Sequence, residues 1–179
     1  MVRLSILIAT MPDRAANLDA LMSTLRPQLT KEVEVITDSS MSYNIGTKRN
    51  KLLSLATGDY VVFIDDDDKI SPKYVELILN AIEDSPDCVG ISGIITTNGA
   101  FMKQWHISMD YGYWREENGV YLRTPNHITP VRLALALQAG FPELERGEDS
   151  EYSRRLFPLL KTEVKIPGNI YHYQFVQKY

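Results

Sequence analysis

Tyr60-Val-Val-Phe-Ile-Asp-Asp-Asp-Asp-Lys69 decides the reading of this chain, because a β-branched and aromatic run stops abruptly at four consecutive carboxylates. Folding alone does not ask for this. Adjacent like charges repel, and an ionised carboxylate drawn toward an apolar strand end is costly unless something positive meets it. A hard divalent cation answers the need, since Mg2+ and Mn2+ take oxygen ligands and share their shell between one or two protein carboxylates and substrate phosphates. An EF-hand is excluded: Lys69 stands where a third oxygen ligand belongs and Ile70 where the turn glycine belongs. Downstream, Ser71 has N-cap chemistry and Pro72 suits a first helical position. With Val75, Leu77, Ile78 and Ile82 on one side, a helix is predicted there. The acids therefore sit in a strand-to-helix loop, the place where α/β sheets bind ligands; the plain alternative is a solvated acidic turn.

Upstream, Leu4 to Ala9 is a continuous apolar run of the kind found in strands buried on both faces of a parallel sheet. Leu18, Leu21, Met22 and Leu25 follow at helical spacing until Pro27 disfavours continuation. Val33 to Ile36 predicts a second strand, ending at Thr37-Asp38-Ser39-Ser40, and Ile45 to Ala56 a helix closed by Gly58. Alternating strands and helices imply right-handed crossovers and a mainly parallel sheet. After another apolar strand from Cys88 to Ile95 the regularity breaks. Residues 99–126 carry Trp105, His106, Tyr111, Tyr113, Trp114 and Tyr121, with Glu117-Asn118-Gly119 predicted as a turn between two strands. Aromatic faces there serve either as core or as a sugar platform. Thr129-Pro130 predicts a helix start before Val131, Leu133, Leu135 and Leu137, with Gly140 as its stop. A further helix is expected over Ser150 to Leu156, a strand around Val164 to Ile166, and then Ile170 to Phe175.

Composition sets limits. With 179 residues, 44% hydrophobic and 23% charged, one well-buried core is expected rather than two. The net charge of -4, with only Lys48, Arg49 and Lys51 as a local basic cluster, argues against a nucleic-acid footprint. The single cysteine, Cys88, excludes an internal disulfide framework and fits a reducing, cytoplasmic location. The Leu4–Ala9 run is too short to span a membrane.

Taken in order, Thr10, Pro12 and Arg14, then Asp38, Gly46-Thr-Lys-Arg-Asn50, the Asp65–Asp68 block and Gly147-Glu-Asp149 resemble the nucleotide-sugar glycosyltransferases of GT-A fold. The set is similar to their large inverting family 2 and covers nearly the whole chain. The resemblance implies an α/β three-layer sandwich with a mainly parallel central sheet and a small antiparallel acceptor-side hairpin. It implies one domain over residues 1–179, with residues 1–98 binding the nucleotide-sugar and 99–179 on the acceptor side. Thr10, Pro12, Arg14, Asp38 and Arg49 would then line a base-and-ribose pocket. Asp65 would serve the ribose or metal-bound water and Asp67 the metal, Mn2+ or Mg2+, with Asp66 between them among the nucleotide-binding residues, while the role of Asp68 stays open. Glu148-Asp149 matches the catalytic acidic pair, with Asp149 as the base that deprotonates a hydroxyl acceptor, expected to be a carbohydrate. His172 corresponds to a late histidine brought to the metal, for which Mn2+ is better suited. His127 is a weaker candidate for the acceptor side.

The short acceptor half, with neither anchor nor added domain, is expected of a small enzyme open to self-association rather than of a processive synthase. The rivals are a non-catalytic nucleotide-sugar or carbohydrate-binding protein on the same fold and a sugar-nucleotide nucleotidyltransferase. The latter's Gly-rich first loop is replaced here by Thr10-Met-Pro-Asp-Arg14.

Overall fold

In the computed structural model, which describes residues 1–176, fifteen principal elements follow one another. They are β1 (Leu4–Ala9), α1 (Ala15–Leu25), β2 (Val33–Asp38), α2 (Ile45–Leu55), β3 (Tyr60–Phe63), β4 (Lys69–Ile70), α3 (Tyr74–Ala81), β5 (Cys88–Thr97), β6 (Ala100–Ile107), β7 (Arg115–Glu117), β8 (Val120–Arg123), β9 (Val131–Arg132), α4 (Leu133–Ala139), α5 (Glu148–Leu156) and β10 (Glu163–Phe175). The last three residues of the expected domain lie outside the described range. Strands run in the order β2-β1-β3-β9-β5-β6-β8-β7, and β10 pairs with β5 and β4. β1 is parallel to both β2 and β3, and β10 is parallel to β5. The β5–β6 and β7–β8 pairs are antiparallel, and β7–β8 is the hairpin expected around Glu117-Asn118-Gly119. Asn118 and Gly119 take the turn between β7 and β8 at φ 51° and 78°, as a two-residue hairpin turn requires.

The unbroken apolar runs have the expected cause. Along β1, Leu4, Ile6 and Ile8 enter one core layer while Leu7 enters the other, and along β3 Tyr60 and Val62 oppose Val61 and Phe63 in the same way. Helices α1 and α3 cover the first face through Leu21, Leu25, Val75 and Ile78. Helices α2, α4 and α5 cover the second through Leu52, Leu53, Ala136 and Leu156. Each fully buried Leu or Ile of these layers contributes roughly 1.5–3 kcal/mol. Among the described residues no helix is long and apolar enough to cross a membrane.

Two local expectations change. Thr129-Pro130 does not open a helix. Thr129 Oγ1 accepts the Asn126 amide at 2.9 Å, Pro130 O accepts the Val89 amide at 2.8 Å, and Val131 pairs with Val61 and Cys88 as part of β9 before α4 begins. Tertiary pairing overrides the local start signal. The helix after the acids begins at Tyr74 rather than at Pro72: Ser71 Oγ accepts the Lys73 amide at 3.2 Å, and Gln28 of the preceding layer accepts the Val75 amide at 3.0 Å.

One glycine is forced by packing. A Cβ on Gly46, in the first turn of α2, would collide with the carbonyl of Pro142, and the Gly46 amide donates to Leu144 O at 3.2 Å. The start of α2 thus lies directly on the loop that leads into α5.

Candidate functional site

The four carboxylates follow the carboxyl end of β3 in a turn closed by the Asp68 amide donating to Asp65 O at 3.1 Å. Each carboxylate is partnered. Asp65 meets Arg49 Nη2 and His127 Nε2, both at 3.2 Å. Buried Asp66 accepts from Thr10 Oγ1 at 2.5 Å and pairs with Arg14 Nη2 at 2.5 Å. Asp67, more exposed, pairs with the same Arg14 nitrogen at 2.6 Å. Buried Asp68 accepts from the Tyr171 hydroxyl and the Gln174 amide, each at 2.7 Å.

These partners split the proton affinities. Burial works to raise Asp65, but His127, Arg49 and Arg14 outweigh it and hold its carboxyl well below the usual range. Burial, then the charge on Asp65, pushes Asp68 up to about 8. Burial also raises Asp66. The repulsion that the sequence announces is therefore relieved by two guanidinium groups and by the raised proton affinity of Asp68.

Helix α2 supplies one of those guanidiniums. Its N-cap, Asn44, accepts the Thr47 amide at 2.8 Å, and the turns that follow bury Lys48 and Arg49 beside Leu52 and Leu53. Lys48 Nζ donates to Thr10 O at 2.8 Å, fixing the loop after β1. Arg49 reaches the other way to Glu148 Oε1 at 2.7 Å, with Phe63 and Phe141 on its faces at 5.7 and 5.5 Å. One side chain thus joins the acid turn to the head of α5. Arg49 Nε and His127 Nδ1 are buried without a hydrogen-bond partner among the described residues, a rare and costly condition that marks this junction.

Asp149 differs from its neighbour Glu148. It is only partly buried, its Oδ1 accepts the Ser150 amide at 2.8 Å, and it lines a cavity of about 590 Å3 together with Asp65, Arg49, Trp105, Tyr121 and Tyr173. A smaller cavity of about 320 Å3 lies over Arg14, Asp66 and Asp67. Asp38 ends β2 beside Thr10, whose amide donates to Asp38 O at 3.0 Å. Its carboxylate accepts the Ser40 amide at 2.8 Å and has Lys51 Nζ 3.0 Å from Oδ2, an ion pair not aligned as a hydrogen bond. Burial opposes ionisation there, and Ser40 and Lys51 prevail, bringing it down to about 2. Pro12 is exposed at the start of a short 3-10 turn that carries Arg14 inward.

The structure does not bring His172 to the acids. Its Nε2 lies 2.9 Å from Thr96 Oγ1, and burial followed by Lys69 lowers its proton affinity. The reason is the period of a strand: Tyr171 and Tyr173 face the carboxylates, so the residue between them faces away. Reading the alternation around His172 would have found Tyr171 as the residue that holds Asp68. For a divalent cation the oxygen set nevertheless fits. Asp66 Oδ1 and Asp67 Oδ2 converge on one cationic atom, Arg14 Nη2, as oxygen ligands converge on a metal. No group of three or more His, Cys, Asp or Glu placed so as to hold a metal ion occurs among the described residues.

The sequence model described as "Glycosyl transferase family 2" matches residues 13–141. A curated relative, the glucosyl-dolichyl phosphate glucuronosyltransferase of Haloferax volcanii, is 31% identical over 70 residues, which is 39% of this chain and 22% of that protein. Among solved structures, S. aureus TarS 1-349 in complex with UDP superposes with a TM-score of 0.72 at 20% identity, over 97% of this chain and 60% of that one. The same protein in complex with UDP-GlcNAc gives 0.66 at 19% identity, over 99% and 60%. The likeness to TarS is one of fold, and this chain spans only part of either protein.

Proposed function

The chain belongs to glycosyl transferase family 2, and on that footing we propose that it transfers a sugar from a UDP-sugar to a hydroxyl acceptor, with inversion at the anomeric carbon. The observation that carries this reading is Arg49, which meets Asp65 at 3.2 Å and Glu148 at 2.7 Å and so holds an acid of the turn after β3 and the head of α5 on one cavity.

In this reading the donor nucleotide lies along the loops after β1 and β2, near Thr10, Arg14 and Asp38. Asp67, with Asp66 beside it, holds Mg2+ or Mn2+. Such an ion stabilises the negative charge that grows on the departing diphosphate. Asp65 stays ionised between His127 and Arg49 and serves the ribose side. Asp149 takes the proton of the acceptor hydroxyl as that oxygen attacks from the face opposite the leaving group. Glu148 is a positioning residue, since its carboxylate is engaged by Arg49. The UDP complex of a protein of the same fold supports the choice of nucleotide.

The test joins calorimetry with turnover. UDP is expected to bind in the presence of Mn2+, and UDP release is expected with at least one UDP-sugar. An α-linked donor is expected to give a β product by NMR. UDP binding with no release from any donor would favour the non-catalytic binding protein, and an α product would overturn inversion.

A further inference from the structure

The wall of the larger cavity contributed by β6 and β8 carries a guanidinium that nothing in the proposed reaction uses. Arg123, the last residue of β8, is half-buried and lines the cavity with Trp105, Tyr121 and Asp149. Its guanidinium stands 4.6 Å from the Trp114 ring and 5.6 Å from the Tyr121 ring. Arg3, Arg14, Arg49, Arg115 and Arg132 each meet a carboxylate. Arg123 meets none among the described residues, and neither does Arg146, exposed at the same cavity.

Ring faces attract a cation but leave the in-plane N–H donors of a guanidinium free for an oxyanion. The support is also built. Trp114 Nε1 donates to Thr124 Oγ1 at 2.8 Å, and Thr124 Oγ1 lies 2.7 Å from Ser153 Oγ on α5, so the ring under Arg123 is tied to the helix that Asp149 heads. Asp65 and Glu148 also line the cavity but are paired with Arg49, whereas Glu145 and Asp149 repel anions, so attraction must come from contact with Arg123 itself, aided by the field of Arg146.

We propose that Arg123 is the receptor for an anionic group, a carboxylate or a phosphate, carried by one of the two substrates of the proposed glycosyl transfer, on which reading this inference rests. A planar guanidinium suits both oxyanions through paired N–H donors. The anion is either a carboxylate on the transferred sugar or a phosphate on the acceptor.

Calorimetry on the full chain with saturating Mn2+ separates the two. One arm compares UDP-glucuronate with UDP-glucose; the other compares glucose 1-phosphate with glucose on the UDP-bound protein. In one arm the anionic probe is expected to bind roughly 10-fold or more tightly than its neutral partner, the scale of a charge-assisted hydrogen bond. Arg123→Gln, which keeps a stem over Trp114, is expected to erase that preference while UDP affinity holds, and Arg123→Lys to keep part of it. No preference in either arm, or a preference that survives Arg123→Gln, overturns the proposal while the reading of the donor site stands. Failure of UDP itself to bind overturns both.

Discussion

Two acidic clusters frame the cavity, and they are built in opposite ways. In the turn after β3 every carboxylate is spoken for: Asp65 by Arg49 and His127, Asp66 and Asp67 by Arg14, Asp68 by Tyr171 and Gln174. At the head of α5 the labour is divided, because Glu148 is buried against Arg49 whereas Asp149 is left partly open with the Ser150 amide and hydroxyl beside its carboxylate. A held charge organises a site and an open one can exchange a proton. Adjacent acids with similar sequence signals thus acquire different chemistry from the partners that the fold brings to them.

The sharpest break in that comparison is Asp149→Asn. Size and most hydrogen bonding are kept but the base is lost, so turnover should fall roughly 10^2- to 10^4-fold while UDP affinity and melting temperature hold. UDP release measured against calorimetric binding checks this. Glu148→Gln should do the reverse. It leaves Arg49 charged and half-paired in a buried place, and breaking such a pair costs about 3–5 kcal/mol, so denaturant unfolding should shift strongly and rate should fall only as the fold loosens. Equal losses of stability in the two variants would erase the division of labour.

Asp67→Ala tests the held cluster. Cation-dependent strengthening of UDP binding should vanish by calorimetry, while the metal-free melting temperature stays level because Arg14 retains Asp66. The smallest effect concerns Asp68. Its folded proton affinity, about 8, lies above the ordinary carboxylate value, so it binds a proton more tightly in the folded chain. The resulting stabilisation is complete below about pH 4 and is lost as pH rises toward and through 8. Asp68→Asn should therefore flatten the decline in metal-free stability between pH 5 and 9. Asp38, held down to about 2, has the opposite sign, its stabilisation being lost as pH falls from about 4 through 2. A stability profile for Asp68→Asn that parallels the parent over pH 5 to 9 would refute the assignment.

What the sequence announces most clearly is what local physics determines. The apolar runs of β1 and β3 name strands buried on both faces, and the acid block marks the turn that ends β3, because both are patterns of neighbours in the chain. Two partnerships lie beyond that reach. The Arg49–Glu148 pair joins residues 99 apart, and the Tyr171–Asp68 bond joins residues 103 apart; no periodicity foretells either. His172 is an instructive failure of a different kind, since the alternation that turns it toward Thr96 was present in the string Tyr171-His172-Tyr173. Thr129-Pro130 has the grammar of a helix start, but pairing of β9 with β3 and β5 wins.

The contact between Gly46 and the loop before α5 has a consequence for measurement. The amide of Gly46 is satisfied by Leu144 O across the junction rather than within its own helix, as the first amides of a helix must look outside it. Its exchange with deuterium therefore times the separation of that loop from α2. A single backbone resonance becomes a clock for the loop that leads into α5, readable in the resting protein without substrate, and a nucleotide that clamps the loop would slow it.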